Sequence, residues 1–566
     1  MSWRIKKNLI DRCDAETGGA HFLPGLRRPV AFVYPNVYHL GMSNLGMHIL
    51  YQLINGRGDC ACERYFLPER DLAAEHVADK TALLSVESRR QLADNEFIFV
   101  MLSFELDYDN LLTVLDLGNV KLRACDRNDK EPFVIIGGPC ATFNPEPLSQ
   151  VADAFVIGEG EETVQRILDV SGSTKAERLA KLAALPGVYV PAFRPAKCQE
   201  QMALNEGKAV QSKVQRQWVK NIDAYPHTSA ILTPETEFSN MYIVEVARGC
   251  GRHCRFCMAG YCFRRPRVRS LENILADIDR RPPQAERVGL MGAAVSDHPQ
   301  IKELTAELVK RGVKFSVASL RADTLDAGLA EALSNSGQRT LTVAPEAGSV
   351  GLRAAINKGI TEEHIYNAMA LAAATGMPNI KLYFMIGLPG ETDQDIEEMV
   401  AMALRIRHKM DDAGCKGELI LSVNAFVPKP FTPYQWDGMC EQSALKRRFR
   451  LLEKGLHGEK RVKILKESLK ESMEQAVLAR GDRKVGEALL RAHEQKISLK
   501  EILRRQNLDI EKLATQELAE DAVLPWDFLE MGVRKDYLLA ERNKSQQGLA
   551  TIKCFDGCRR CGVCGG

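Results

Sequence analysis

The sequence predicts an α/β protein in three parts: an amino-terminal Rossmann-like parallel sheet, a partial (β/α)6 TIM-like barrel, and a mainly helical carboxyl-terminal extension. Three observations lead there. Short β-branched and aromatic runs alternate with helical patterns along a first stretch of chain, and the same alternation starts again after a polar connector. The final stretch is mostly charged helix, and 566 residues exceed what a single core usually holds.

In the first region, residues 1–190, the strands are "PVAFVYP", "FIFVMLSFE", "PFVIIGGP" and "AFVIGEG". Each ends in Gly, Pro or an acidic turn, and "NLGMHILYQLIN" and "NLLTVLDLGNV" read as helices between them. Residues 191–235 form a connector. In residues 236–440 six strands are expected: "YIVEVARG", "RVGLMG", "KFSVASL", "RTLTVAPE", "NIKLYFMIGLPG" and "LILSVNAFVP". Helical stretches such as "IKELTAELVKRG" lie between them, so chemistry is expected at the carboxyl ends of these strands. Residues 441–566 are the helical extension, ending in "CFDGCRRCGVCGG".

Composition sets limits on function. Hydrophobic residues at 45% and charged residues at 27% suit a globular core, and a net charge of +2 gives no bias toward nucleic acid. The start of the chain has Lys6 and Lys7 but no apolar run of the signal-peptide kind. "FIFVMLSF", the longest apolar run, is far too short to span a bilayer. A cytoplasmic protein with no membrane contact is expected. In a reducing compartment, clustered cysteines point to metal or redox chemistry rather than disulfides. Scattered Cys13, Cys60, Cys62, Cys125, Cys140, Cys198, Cys415 and Cys440 read as small hydrophobes or surface thiols.

Two cysteine clusters stand out. Cys250, Cys254 and Cys257 follow the first barrel strand in "RGCGRHCRFC", a Gly-containing loop able to wrap a cluster. Thiolates ligate iron–sulfur cubanes, which use four; three leave one iron open to a substrate or cofactor. Zinc completed by His253 or Cys262, or a CxxC redox pair, are the alternatives. Cys554, Cys558, Cys561 and Cys564 form a chelating set for a second Fe–S cluster or zinc, or a mobile thiol arm. Cys262 reads as a structural thiol or a hydrogen donor near the triad. The basic runs "FRRPRVRS" and "LKRRFR" read as solvated faces or as attraction for phosphate-bearing substrate; the first is also placed to offset cluster charge.

CX3CX2C with Phe256 before its last cysteine resembles the radical S-adenosylmethionine (SAM) superfamily. That resemblance implies a [4Fe-4S] cluster on Cys250, Cys254 and Cys257, whose free iron chelates SAM and whose electron yields a 5′-deoxyadenosyl radical. It implies SAM contacts at Phe256, over the adenine, and at Gly292 in "LMGAAVSD", which lacks the usual acidic residue. Ser319 and Arg321 in "SVASLRADTL", and Glu346 in "APEAGSV", are implied contacts too. "YFMIGLPGET" resembles the adenine-binding turn, and "NAFVPKPFTPYQW" the sixth-strand end of tRNA methylthiotransferases and their cobalamin-domain relatives.

"YPNVYHLGMSNLG", "SFELDYDN", "IIGGPCATFNPEP" and "IGEGEET" resemble a cobalamin-binding domain. The implied cobalamin contacts are Leu40, Gly41, Ser43, Ser103, Glu105, Gly137, Gly138, Gly158 and Gly160. The DxHxxG motif that supplies an axial histidine is absent, and His39 does not fit it. "ARGDRKVGEALLRA" resembles a segment of cobalamin-domain radical proteins and is expected to be a capped helix flanking the barrel mouth. The function implied is cobalamin-dependent methyl transfer or rearrangement at an unactivated carbon, with a flavodoxin- or ferredoxin-type reductant. Methylthiolation of RNA or protein is an alternative, weakened by the lack of a carboxyl-terminal oligonucleotide-binding barrel. A non-catalytic electron carrier or RNA-binding module is the other.

Overall fold

The computed structural model describes residues 3–20, 27–194, 211–555 and 557–564; Cys198 lies outside them. The chain forms two compact units. One comprises Met1–Met241, Val477–Leu508 and Val523–Met531; the other comprises Tyr242–Ala476, Asp509–Ala522 and Gly532–Gly566.

The first unit is built on a six-stranded sheet: β1 (Arg28–Tyr34), β2 (Cys60–Phe66), β3 (Phe97–Met101), β4 (Phe133–Gly137), β5 (Ala154–Val156) and β6 (Val188–Tyr189). Their order is β2-β1-β3-β4-β5-β6. β1 to β5 are parallel, and β6 runs antiparallel to β5. Val30, Phe32, Phe97, Phe99 and Ile135 are buried on one face, and Val33, Ile98, Val134 and Ile136 on the other. Burial on both faces explains why these strands read as continuous apolar runs.

β2 went unread in the sequence because "CACERYF" carries two charges, yet all seven residues are buried. The charges are neutralised inside. Arg64 pairs with Glu16 and Glu87, each at 2.6 Å, and Glu63 accepts from Ser85 and Ser88. Cys60 and Cys62 are buried core thiols of this strand.

The second unit contains β7 (Met241–Glu245), β8 (Arg287–Met291), β9 (Phe315–Val317), β10 (Thr340–Glu346), β11 (Asn379–Ile386), β12 (Leu419–Ala425) and β13 (Val462–Lys466). β7-β8-β9 form one sheet and β10-β11-β12-β13 another. The parallel bridge Leu320–Val343 links β9 to β10, so the seven strands follow one another in chain order as an open, partial barrel. β13, beyond the six expected strands, lies within the stretch read as helical extension. Along β10, β11 and β12 every second residue is buried, including Leu341, Leu382 and Leu421. The alternate residues, among them Lys381, Tyr383 and Asn424, stay half-buried on the other face.

The helix Arg483–Gln495 is capped by Asp482, as its sequence suggests. It belongs to the amino-terminal unit and packs on it. Asn144 donates to the carbonyls of Ala479 and Gly481, Arg483 pairs with Glu146 at 2.8 Å, and Arg123 pairs with Glu487 at 2.7 Å. Gly486 allows the approach: a Cβ there would stand 2.1 Å from the Pro147 carbonyl oxygen. Alanine is intrinsically better than glycine within a helix by about 1 kcal/mol. At Gly486 the backbone clash outweighs that gain, and Gly486→Ala is expected to lower unfolding stability by about 1–3 kcal/mol. A urea titration showing stabilisation instead would contradict this packing.

Candidate functional site

The triad loop is closed at its base by a two-residue antiparallel ladder pairing Ala247 with Val268 and Arg248 with Arg267. Inside it the chain folds back on itself. Gly249 has φ +82°, and a Cβ there would meet the Phe263 carbonyl oxygen at 2.1 Å; one on Gly260 would meet that of Arg252 at 2.6 Å. The Cys257 amide donates to the Cys254 carbonyl at 3.1 Å, and the Arg252 amide donates to Cys250 Sγ at 3.4 Å. Burial, then the neighbouring Cys254 and Cys250, push the Cys257 thiol up to about 12, and burial also raises Cys250. Cys250 and Cys257 therefore hold protons that a bound metal would displace. Among the described residues, no three His, Cys, Asp or Glu side chains are gathered about a single-ion point. The donor set, three thiols on one glycine-shaped loop with a backbone N–H aimed at sulfur, fits a cluster held by thiolates.

Three of the four arginines in the basic run beside the triad are buried rather than solvated, and Arg265 stays exposed. Arg264 and Arg269 are fully buried, and Arg267 nearly so. Arg264 donates to the carbonyls of Gly260 and Arg252 and to His253 Nδ1 at 2.8 Å. Arg269 and Arg248 both bind Glu245 at the end of β7, at 2.5 and 2.8 Å. Burial alone would raise Glu245, but the two guanidinium groups hold it below the usual carboxylate range. In the second run, Arg448 is buried against Glu391, whereas Arg447 makes an exposed pair with Asp393. Cys262 is a fully buried thiol.

Apart from Phe256, which lies in the triad loop, the expected SAM contacts fall at the carboxyl ends of the barrel strands, but not all are open. Gly292 follows β8, where a Cβ would sit 3.0 Å from the Ala247 carbonyl oxygen. Ser319 is exposed after β9. Arg321 is committed to Asp323 at 2.9 Å and to the Lys358 carbonyl at 3.1 Å. Glu346 ends β10 with φ +70°, a left-handed conformation unusual outside glycine, and pairs with Lys358 at 3.0 Å. Phe256 packs beside Leu352, Phe426 and Tyr434, with Lys358 Nζ 5.8 Å from its ring centre.

Four participants escaped the sequence reading: Arg252, Asp297, Asp323 and Lys358. Arg252, between the first two cysteines, pairs with Asp297 after β8 at 2.6 Å and with Asp323 after β9 at 3.6 Å. Asp297 is the last residue of "LMGAAVSD", and its carboxylate is engaged by Arg252. The signal available was a lone arginine inside the cysteine motif with aspartates at two strand ends.

The cysteine tail belongs to the same unit. The Cys554 amide donates to the Gly251 carbonyl at 2.8 Å, and Arg264 Nη1 lies 3.4 Å from Cys561 Sγ. Sequence reading did not foresee that the two cysteine sets meet.

The nine residues expected to meet cobalamin sit at the carboxyl edge of the amino-terminal sheet: Gly137 ends β4, and the others follow β1, β3, β4 and β5. Several of their glycines admit the protein's own chain. At Gly158 (φ +105°) a Cβ would strike the Gln217 carbonyl oxygen at 2.1 Å, at Gly138 that of Leu102 at 2.7 Å, and at Gly41 the Phe66 ring at 2.4 Å. Asn44 donates to Ser103, and Ser43 accepts from the Glu237 amide. Glu105 is buried, a Cβ on Gly160 would touch Leu50 at 3.4 Å, and one on Gly137 would meet Val156 at 3.6 Å. Leu40 and Phe104 stay exposed, at 38% and 41%.

Two measurements check this geometry. Removing Lys358 strands a mostly buried Glu346, so Lys358→Met is expected to cost about 3 kcal/mol, much of it recovered when Glu346→Gln is added; purely additive effects in urea unfolding would count against the pair. In the turn after β11, Glu391 accepts from the Gly387 amide at 2.6 Å and lies 3.0 Å from Arg448, while its other oxygen is buried without a partner. Burial pushes it from 4.5 to about 7 despite Arg448. The folded state therefore takes up a proton that the unfolded chain lacks across that window, and stability falls as pH rises through it. Glu391→Gln should flatten that slope, and an unaltered profile would refute the assignment.

Residues 46–191 match the family model "Radical SAM proteins, N-terminal", and residues 244–403 match "Radical SAM superfamily". The uncharacterised protein MJ0966 of Methanocaldococcus jannaschii is 31% identical over 81% of this chain and 90% of its own length. The uncharacterised methyltransferase PH0819 of Pyrococcus horikoshii is 26% identical over 48% of this chain and 58% of its own. Among solved structures, the radical S-adenosylmethionine methyltransferase TsrM of Kitasatospora setae, with cobalamin and a [4Fe-4S] cluster bound, matches with TM-score 0.45 and 14% identity over 70% of this chain and 72% of that one. The matched regions include the triad loop and most of the barrel strands around it, and the chain belongs to the radical S-adenosylmethionine superfamily.

Proposed function

We propose that this enzyme uses cobalamin together with radical SAM chemistry to transfer a methyl group to, or rearrange, an unactivated carbon. The observation that carries the cobalamin half is the strand order 2-1-3-4-5 in the amino-terminal sheet. The order reverses between β1 and β3, and in open parallel sheets such a reversal is where ligands bind, at the carboxyl ends of the strands. Leu40 and Phe104 border that edge as exposed apolar side chains, a surface suited to the flat face of a corrin. With no DxHxxG histidine in the sequence, Leu40 and Phe104 would be the side chains that hold the corrin at this edge. A methyl transfer is in keeping with the name of the Pyrococcus relative.

Cys250, Cys254 and Cys257 would hold the [4Fe-4S] cluster by three irons. When bound, that cluster supplies the electron that cleaves the sulfonium of SAM, drawn from an external reductant of flavodoxin or ferredoxin type. The other residues position. Arg252 clamps the loop to the ends of β8 and β9 through Asp297 and Asp323. Lys358 places a cation near Cys254 and Phe256, where it offsets thiolate charge. Phe256, on the apolar cluster of Phe426 and Tyr434, keeps water from that side of the loop. Gly292, Ser319, Arg321 and Glu346 would bound the SAM site at the strand ends. Among the described residues no helix is long and apolar enough to cross a membrane. RNA or protein substrates remain part of the reading.

Anaerobic incubation with SAM and dithionite is expected to release 5′-deoxyadenosine, and Cys254→Ala to abolish it. A reconstituted sample should retain corrin absorbance through gel filtration, with Leu40→Glu/Phe104→Glu weakening retention by about tenfold or more. S-adenosylhomocysteine among the products supports methyl transfer, whereas sulfur in the product would replace it with methylthiolation. A sample that takes up no corrin defeats the cobalamin reading.

A further inference from the structure

We propose that Cys554, Cys558, Cys561 and Cys564 hold a second, all-cysteine [4Fe-4S] cluster, seated against the triad loop as its redox neighbour. The inference rests on the reading of Cys250, Cys254 and Cys257 as a cluster site, and it is carried by how the tail is built.

Cys558-x2-Cys561-x2-Cys564 has the spacing by which ferredoxin runs hold three irons of one cubane, with Cys554 as the fourth donor four residues earlier. Structural zinc more often draws its ligands from two separated short pairs. Cys558 and Cys561 are buried, at 2% and 1% exposure. Two guanidinium groups donate to their sulfurs: Arg560 Nε to Cys558 at 3.2 Å and Arg264 Nη1 to Cys561 at 3.4 Å. Such bonds stabilise sulfur that carries negative charge. The tail is also fixed at several points. The Arg534 amide donates to the Cys561 carbonyl at 3.0 Å, and Arg534 Nη2 to that of Arg560 at 3.2 Å.

The seat on the triad loop is direct. Besides the bond from the Cys554 amide to the Gly251 carbonyl, the two residues lie side by side: a Cβ on Gly251 would stand in ordinary contact, 3.5 Å from Cys554 Cβ. Arg264 reaches both cysteine sets, bonding Cys561 with one nitrogen and His253, between Cys250 and Cys254, with the other. His253 Nδ1 also accepts from the Tyr537 hydroxyl at 2.7 Å, so the ring proton sits on Nε2. That N–H is buried and has no partner. It is the kind of donor that a cluster sulfur would satisfy. A structural zinc would gain nothing from this neighbour, while a cubane here can pass single electrons to the triad's cluster.

Metal analysis and EPR of the anaerobically reconstituted full chain test the proposal. Wild type is expected to hold about eight iron atoms per chain, and about four each in Cys558→Ser/Cys561→Ser and in Cys250→Ala/Cys254→Ala/Cys257→Ala. Dithionite-reduced wild type should show the broadened signal of two coupled clusters, and each variant a simple one. Circular dichroism monitors folding; should the tail variant misfold, iron retained by the triad variant still decides. Unchanged iron in the tail variant, one zinc lost in place of iron, or no iron in the triad variant overturns the second cluster. Wild-type iron in the triad variant would instead sink the reading of the first.

Discussion

Everything at the site depends on keeping an irregular, cysteine-bearing loop rigid without regular secondary structure, and buried guanidinium groups do this. Arg255 and Arg264 are both fully buried. Arg255 spends its donors on the carbonyls of Ala354, Ala355 and Leu549 and on Glu541, and Arg264 on Gly260, Arg252, His253 and Cys561. A planar fork of five donors can satisfy several loop carbonyls at once, which no apolar core residue could do. The cost of burying the charge is offset by Glu541 for Arg255, and for Arg264 by the carbonyls and the His253 nitrogen that accept from it. Removing either arginine would leave the carbonyls it caps without partners in a dry interior.

The same economy recurs at longer range. Arg252 ties the loop to two strand ends, Lys358 ties a third through Glu346, and the cysteine tail is fastened back through Gly251. The triad thus sits within a net of charge pairs spanning β8, β9 and β10, fixing where a cofactor bridging those strand ends would lie. Left-handed backbone at Glu346 is tolerated because the ion pair with Lys358 holds the carboxylate in place.

In the amino-terminal unit the glycines have a double meaning. Gly-rich strand ends predict close approach of something to the backbone, and close approach is what the structure shows. At Gly158, Gly138 and Gly41, what approaches is the chain itself: Gln217, Leu102 and Phe66. The exposed part of the edge is instead apolar, at Leu40 and Phe104, and any ligand would meet those side chains first.

Local signals were enough for much of this. Apolar runs bounded by Gly and Pro mark four of the five parallel strands of the first sheet and all six expected barrel strands. The spacing of seven cysteines marks both thiol clusters, because chelation by neighbours in sequence is a local property. What only the tertiary structure decided is where charge is neutralised. "CACERYF" does not look like a strand until Glu16 and Glu87, distant in sequence, are seen to bury Arg64. "FRRPRVRS" looks like solvated charge until Glu245 and the loop carbonyls are seen to absorb it. Likewise the meeting of Cys554 with Gly251 joins residues some three hundred positions apart. Composition and periodicity report how each residue prefers to meet water, but they are silent on which distant partner removes that need, and here those partners define the site.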